Sequence, residues 1–178
     1  MHISFDRFTI RPLAESDAGN FSAFILKNKS RIASSAPNTV KSVTDAESAR
    51  AFIRKRIDLA EKKELISYTL FDNSTSLPVA SLVIMNIDPT VPKGELGYYV
   101  DSGYEGKGIT TKFVGHVCDF AFSSLGFNKL FMRISEQNTG SQRVAEKNMF
   151  QREGLLRKDF RTFNDELVDV IYYGKLKD

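Results

Sequence analysis

The sequence contains very little cysteine and histidine: one cysteine, Cys118, and two histidines among 178 residues. A single cysteine excludes a disulfide within the chain, and scarce cysteine is typical of a protein from a reducing compartment. These few side chains also form no set with the ligand spacing of a zinc site. The sequence therefore predicts no metal and no disulfide framework.

Long apolar runs and a strong charge imbalance are also missing. No stretch approaches the roughly 18 consecutive apolar residues of a membrane-spanning helix. Asp6 and Arg7 interrupt the first residues, where a secretory signal requires an unbroken apolar segment. The net charge is only +3, which is too small to indicate a nucleic-acid binder. We therefore predict a cytoplasmic protein that binds neither membranes nor nucleic acid.

The composition and pattern predict one folded domain over residues 1–178. Apolar residues make up 42% of the chain and charged residues 26%, as in ordinary globular proteins. Helical periodicity is clearest in "TDAESARAFIRKRIDLAEKKEL", where Thr44 and Glu47 have the spacing of a capping box. Several strand patterns follow, and one strand–loop–helix–strand unit requires a parallel pair. The fold class is therefore α/β with a mixed sheet.

The stretch "VDSGYEGKGIT", Val100 to Thr110, joins a predicted strand to a predicted helix and contains three glycines. The first NH groups of a helix have no partner within the helix, so glycine-rich backbone at this point can bind a phosphate. The sequence fails the P-loop pattern because Lys107 is followed by glycine, and it fails the dinucleotide pattern because Thr111 replaces the third glycine. A tight turn that binds nothing remains the alternative.

The last three positions of "GYEGKG" match the pattern Arg/Gln-x-x-Gly-x-Gly/Ala of the GNAT acetyltransferases, which bind the pyrophosphate of acetyl-CoA there. Further along, "GELGYYV", "LGFNKL", "NTGS", "VAEKNMF" and "QREGLLR" resemble the ribosomal-protein N-acetyltransferase (RimJ/RimL-like) subfamily. The resemblance covers most of residues 80–178. It departs at Gly103, where the family has Arg or Gln, and at Met149, where it usually has Gly.

The resemblance implies a fold and a cofactor site. The implied fold is a mostly antiparallel sheet with a central splayed parallel strand pair and about four helices. The implied cosubstrate is acetyl-CoA, with pantetheine placed between the splayed strands beside Asn138, for which the alternative is a role as helix N-cap only. The residues expected to bind the cofactor through their backbone groups are Tyr99, Val100, Gly106, Lys107, Gly108, Ile109 and Thr110.

The resemblance also implies candidate catalytic groups. Ser141 would protonate or stabilise the departing thiolate, because Ala145 occupies the position at which many superfamily members have a tyrosine acid. Glu95 opens a strand directed at the cofactor and could deprotonate the amine directly or through water, although a water chain alone or a surface charge is the alternative. A backbone NH near Tyr99 would hold the oxyanion.

The function that follows is an N-acetyltransferase acting on a primary amine, either a protein N terminus (a ribosomal protein being one option) or a small molecule. A non-catalytic acyl-CoA-binding or sensor module of the same fold is the main alternative. The resemblance is weakest in the first 70 residues and does not identify the acceptor. A monomer and a homodimer both remain open.

Overall fold

A computed structural model describes residues 1–177 of the chain. Its centre is an eight-stranded sheet in the order β1-β2-β3-β4-β5-β6-β8-β7. The first strand hairpin, β1 and β2, forms one edge, and the last hairpin, β7 and β8, forms the other. The strands span β1 Ile3–Phe5, β2 Phe8–Arg11, β3 Ile66–Asp72, β4 Leu77–Asp88, β5 Lys93–Val100, β6 Lys129–Ser135, β7 Gln151–Arg161 and β8 Leu167–Leu176.

One strand pair is parallel, β5 with β6, and all other pairs are antiparallel. The parallel ladder runs only from Lys93↔Lys129 to Glu95↔Phe131. Beyond it, β5 continues to Val100 paired only with β4, and β6 continues to Ser135 paired only with β8. The two strands therefore splay apart, which confirms the mixed sheet and the splayed central pair.

Residues 1–177 contain six α-helices, two more than the four or so expected. The additional helices precede α4, where the chain forms three short helices separated near Asn28 and Pro37. The helices span α1 Ala18–Lys27, α2 Lys29–Ile32, α3 Pro37–Ser42, α4 Ala46–Glu61, α5 Ile109–Ser124 and α6 Thr139–Lys147. Short 3-10 turns cover Glu15–Asp17 and Ser102–Tyr104.

Two apolar clusters fill the two faces of the sheet. The larger contains α5 residues such as Phe113 and Val117, packed on strand residues such as Leu82 and Leu130. The smaller lies under α1–α4 and contains Phe21. Because side chains alternate along a strand, β5 divides between the clusters, with Leu96 in the first and Tyr99 against the second. The cysteine, Cys118, is fully buried in the larger cluster.

The N terminus of α4 is capped one residue later than the sequence spacing suggested. Asp45 is the N-cap residue, and its carboxylate accepts a hydrogen bond of 2.8 Å from the backbone NH of Ser48. The hydroxyl of Ser48 in turn accepts from the backbone NH of Asp45 at 3.0 Å. The predicted pair of Thr44 and Glu47 is therefore wrong, because Asp at the following position is the stronger cap.

None of the helices within residues 1–177 is long and apolar enough to cross a membrane. Within the same residues, no three His, Cys, Asp or Glu side chains are grouped so that they could hold a metal ion.

Candidate active site

A cavity of about 860 Å³ opens where β5 and β6 splay apart. Its volume is typical of small-molecule sites. Most of the residues predicted from the sequence line it, and they come from the splayed strand, the glycine loop and the start of α6. They are Tyr99, Val100, Gly106, Gly108, Thr110, Asn138 and Ser141.

The glycine loop takes a backbone conformation that requires glycine at two positions. Gly106 and Gly108 have φ of +70° and +74°, in the left-handed region. Gly108 is the N-cap of α5 and has no side chain to bond to the first turn. The first NH groups of this 16-residue helix therefore remain available to an anion, at the positive end of the helix dipole.

Two predicted loop residues do not line the cavity. Lys107 folds back over the loop, where its Nζ donates to the Gly103 carbonyl oxygen at 2.6 Å and lies 5.7 Å from the Tyr104 ring centre. The Ile109 side chain packs against the larger apolar cluster. Their expected contribution was through backbone NH groups, and that contribution remains a prediction.

Buried polar contacts around Asp101 fix the start of the glycine loop. Asp101 is 4% exposed, and its carboxylate accepts hydrogen bonds from Asn28 Nδ2 at 2.9 Å and from the Gly103 NH at 2.8 Å. Asn28 Oδ1 accepts from the Ser102 NH at 3.2 Å, while Lys27 Nζ lies 2.8 Å from Asp101. The corner between α1 and α2 thereby holds the loop in place.

The same contacts explain the ionisation of Asp101. Burial alone would raise the pKa of its carboxyl. The hydrogen bonds from Asn28, Lys27 and the Gly103 NH outweigh burial, so the pKa lies below the usual aspartate value. Asp101 is therefore a stably charged anchor.

The start of α6 brings the predicted Asn and Ser together. Asn138 is the N-cap, and its Oδ1 accepts from the Ser141 NH at 3.0 Å. This cap is the structural role that an isolated Asn would have, and the Asn138 amide nitrogen makes no hydrogen bond to any of residues 1–177. Ala145, one turn further, is fully buried in the larger cluster. No acid can come from that position.

Tyr98 also lines the cavity, next to Ser141. Its hydroxyl donates a long hydrogen bond of 3.5 Å to the Ser141 carbonyl oxygen. Burial raises the pKa of Tyr98 to about 12, so the hydroxyl stays protonated at neutral pH and remains able to donate a hydrogen bond.

Glu95 lies outside the cavity lining, on the β5 face that carries Tyr99. Its carboxylate is 4% exposed and accepts from Arg133 Nε at 2.9 Å, from Arg133 Nη2 at 3.0 Å and from Asn86 Nδ2 at 2.7 Å. The alternative of an exposed surface charge is therefore wrong. Arg133 also donates to Asp159 Oδ2 at 2.9 Å, so Glu95 belongs to a network that joins β5, β6 and β7.

Sequence reasoning missed the cations of the cavity. Arg31 comes from α2, whereas Arg143 and Lys147 come from α6. Thr139, Arg143 and Lys147 are spaced by four, so helical periodicity could have placed the last two on one face with the start of α6. Nothing in the sequence indicates Arg31. Against these three cations the lining contains one acid, Glu105, so the cavity favours an anionic ligand.

A second cavity of about 700 Å³ lies between the first helices and the turn of the β7–β8 hairpin. Leu26, Val40 and Phe163 supply apolar surface, and Lys29 and Glu166 are among its charged residues. Ser34, just after α2, lines both cavities.

An open mixed sheet with a splayed parallel pair and a glycine loop at a helix N terminus is the arrangement expected of the GNAT acetyltransferase fold. The family description "Acetyltransferase (GNAT) domain" matches residues 7–151, and the chain belongs to this family. It is therefore an acetyltransferase of the GNAT type.

Three comparisons place it near ribosomal-protein acetyltransferases. The chain is 28% identical over 175 residues to the "Putative ribosomal N-acetyltransferase YdaF" of Bacillus subtilis (strain 168), covering 97% of this chain and 92% of the relative. It superposes on the ribosomal-protein-S5-alanine acetyltransferase of Vibrio fischeri with a TM-score of 0.92 and 22% identity, covering 100% and 97% of the two chains. It also superposes on a RimL ribosomal L7/L12 α-N-protein acetyltransferase in complex with coenzyme A, with a TM-score of 0.91 and 22% identity. This match covers 100% of this chain and 99% of the other.

Proposed function

We propose that this protein transfers the acetyl group of acetyl-CoA to a primary amine at the N terminus of a protein. The observation that supports this most strongly is the convergence of three elements on one cavity: the splayed edge of β5, the glycine loop before α5 and the capped start of α6. Each element provides what one part of acetyl-CoA requires.

The cofactor cavity fits acetyl-CoA through backbone groups and charge. The open NH groups at Gly108 and the first turn of α5 suit a pyrophosphate, and the backbone of Tyr99 and Val100 along the splay suits the amides of pantetheine. Asn138 retains a free amide group for the same arm. Two GNAT neighbours were solved with coenzyme A or acetyl-CoA, which is consistent with this assignment.

The chemistry needs two proton transfers around one bond exchange. The amine nitrogen attacks the thioester carbonyl carbon, the C–N bond forms and the C–S bond breaks. The departing sulfur takes a proton or a hydrogen bond, and Ser141, at the cavity wall, is our candidate donor. A β6-facing NH of β5 near Tyr99, left unpaired by the splay, would stabilise the oxyanion.

The ammonium group of the acceptor must lose a proton, and Glu95 is our candidate base. A carboxylate has about four acceptor sites, and Arg133 and Asn86 occupy three at Glu95. One site is left for a proton or a water molecule. Without such a route, Glu95 would act by holding Arg133 and β6 in place, and water would carry the proton.

The acceptor site that we propose is the second cavity. Ser34 lines this cavity and the cofactor cavity, so an amine bound between α2 and Phe163 would lie next to the cofactor cavity. Its size and partly apolar walls suit the first residues of a polypeptide. The relatives named for ribosomal proteins, including the ribosomal-protein-serine acetyltransferase of Escherichia coli, support a protein acceptor.

An acceptor screen that follows thiol release from acetyl-CoA tests this proposal. We expect turnover with peptides that carry a free N-terminal amine and none with the same peptides after N-terminal acetylation. Polyamines, aminoglycosides and free amino acids complete the panel, and turnover restricted to any of these would replace the protein acceptor with a small molecule.

A non-catalytic acyl-CoA-binding module is the second candidate, favoured by the buried Ala145 at the usual position of the acid. Binding of acetyl-CoA without thiol release across the whole panel would support that alternative. Absence of binding would contradict both.

A further inference from the structure

Arg31 lies in α2 but reaches the cofactor cavity, where it forms an ion pair with Glu105 of the glycine loop. The two residues are 74 positions apart in the sequence, and Glu105 directly precedes Gly106. Arg31 is therefore a cation of another element placed beside the part of the loop that suits a pyrophosphate.

The loop itself lacks the side chain that its motif usually carries. Gly103 stands where the family pattern has Arg or Gln, so the loop offers only backbone NH groups and the folded-back Lys107. A carboxylate beside a proposed anion site is also unusual, because the negative charge of Glu105 repels a phosphate that approaches the loop.

We propose that Arg31 supplies the side-chain contact to the CoA pyrophosphate that Gly103 cannot make, and that the phosphate displaces Glu105 from Arg31 on binding. This inference rests on the proposed binding of acetyl-CoA in the cofactor cavity. It assigns Arg31 as a cofactor-binding residue and Glu105 as an internal competitor that occupies the guanidinium in the free protein.

The exposure of the ion pair makes the exchange inexpensive. The side chains of Arg31 and Glu105 are 43% and 45% exposed, and ion pairs of this kind contribute little to stability. A pyrophosphate carries more charge than a carboxylate and presents oxygens that match a guanidinium fork. Arg31 therefore gains by exchanging Glu105 for the ligand.

Titration calorimetry with CoA at fixed ionic strength tests the proposal with two substitutions that should change the affinity for CoA in opposite directions. Arg31→Ala should raise the Kd for CoA about tenfold or more, as expected for loss of a charged hydrogen bond. Glu105→Gln should lower the Kd by about threefold, because it removes the competing carboxylate. If the pair were merely structural, both substitutions would weaken binding, and that result would overturn the proposal.

The matched control is Arg50→Ala, which removes an exposed arginine of α4 that lines neither cavity. Its Kd should equal that of the wild type. Unfolding midpoints of all variants without ligand show whether the fold is intact. If wild type and Arg31→Ala bind CoA equally, Arg31 has no role although the proposed function stands, whereas a wild type that binds no CoA refutes both.

A double variant that should restore affinity and two analogues of CoA test whether Arg31 contacts the pyrophosphate. The double variant Arg31→Ala/Gly103→Arg, which restores the family motif, should recover most of the lost affinity. Gly103 has no positive φ, and an added Cβ would meet only Asp101 Oδ1, at 3.1 Å, a close contact that requires a shift of a few tenths of an ångström. The Arg31→Ala penalty should persist with dephospho-CoA and vanish with acetylpantetheine. A penalty that disappears with dephospho-CoA would contradict the pyrophosphate assignment.

Discussion

At the scale of single residues, the proposed cofactor site depends on polar side chains that hydrogen bonds hold in place. Asn138 Oδ1 accepts from the backbone NH of Ser141, and the Ser141 hydroxyl makes no hydrogen bond to any of residues 1–177. Asn28, between α1 and α2, holds Asp101 by donating from its Nδ2 to the Asp101 carboxylate. Substitutions at these positions should therefore separate binding from chemistry.

Ser141→Ala should lower kcat by about 10²- to 10⁴-fold, the range of a lost general acid, with little change in the Kd for CoA. The reason is that the NH that caps α6 comes from the backbone of Ser141 and survives the substitution. Steady-state kinetics and calorimetry on the same preparation measure the two quantities. A parallel loss of affinity would show that Ser141 serves binding instead of proton transfer.

Glu95→Gln should lower the free energy of unfolding by about 1–3 kcal/mol, because it leaves the Arg133 guanidinium with a weaker partner. If Glu95 is the base, kcat should also fall by about 10²- to 10⁴-fold. Denaturant unfolding and steady-state kinetics measure the two effects. Loss of stability with an unchanged kcat would assign Glu95 to positioning and the proton to water.

Asp101→Asn tests the buried polar contacts of Asp101 through the pH dependence of stability. The folded-state pKa of Asp101 is lowered, so its contribution to stability is present above the unfolded value of about 3.9 and disappears as the pH falls through the folded value. The variant should be less stable than wild type by about 1–3 kcal/mol at pH 7. This difference should shrink below about pH 4, as urea unfolding at several pH values would show.

At the scale of elements, the end of α6 has a mismatch between backbone and residue. Met149 has φ of +64° and is 74% exposed, at the position where the resembled family usually has Gly. A side chain with a Cβ is strained in this conformation, whereas Gly adopts it freely. The tertiary structure therefore sets where α6 ends, against the conformational preference of Met149.

Met149→Gly should raise the free energy of unfolding by about 1 kcal/mol, the usual strain of a non-glycine residue in the left-handed region. Met149→Ala is the matched control, because it removes the exposed side chain but keeps the Cβ, and it should give no comparable gain. Thermal unfolding of both variants measures the difference. Equal midpoints would mean that the Met149 side chain contributes contacts that offset the strain.

At the scale of the whole molecule, the sheet is open at the splay between the two apolar clusters. Beyond Glu95 and Phe131, β5 and β6 no longer pair with each other. A ligand that fills this gap completes the backbone hydrogen bonding of the sheet and bridges the loop, α2 and α6. Binding should therefore stabilise the entire fold.

Acetyl-CoA at about 100 times its Kd should stabilise the protein by about 2.7 kcal/mol, which corresponds to a rise of roughly 5–10 °C in Tm. A thermal scan against ligand concentration measures this shift. Adenosine alone, which lacks phosphate and pantetheine, is the negative control. No shift with either acetyl-CoA or CoA would refute the cofactor assignment.

Local sequence signals predicted a large part of this protein because the features they encode are local. The glycines at 106 and 108, the Asn138 cap and the alternation of β5 depend on residues within a few positions of each other, so spacing and resemblance placed seven of the residues predicted to bind the cofactor in the lining of one cavity. The same reasoning placed the α4 cap one residue early and expected about four helices where residues 1–177 contain six, because the ends of helices depend on small differences between neighbouring polar side chains.

Only the tertiary structure decided which distant residues meet. Asn28 bonds to Asp101 across 73 positions, Arg31 pairs with Glu105 across 74, and Arg133 occupies Glu95 across 38. No periodicity or motif spacing encodes such pairs, because they depend on the order of the strands and on how the first helices pack over the sheet. The sequence by itself determined the glycine conformations of the loop and the helix that follows it, because these depend on neighbouring residues, whereas the packing of α1 and α2 decided which side chains surround the loop.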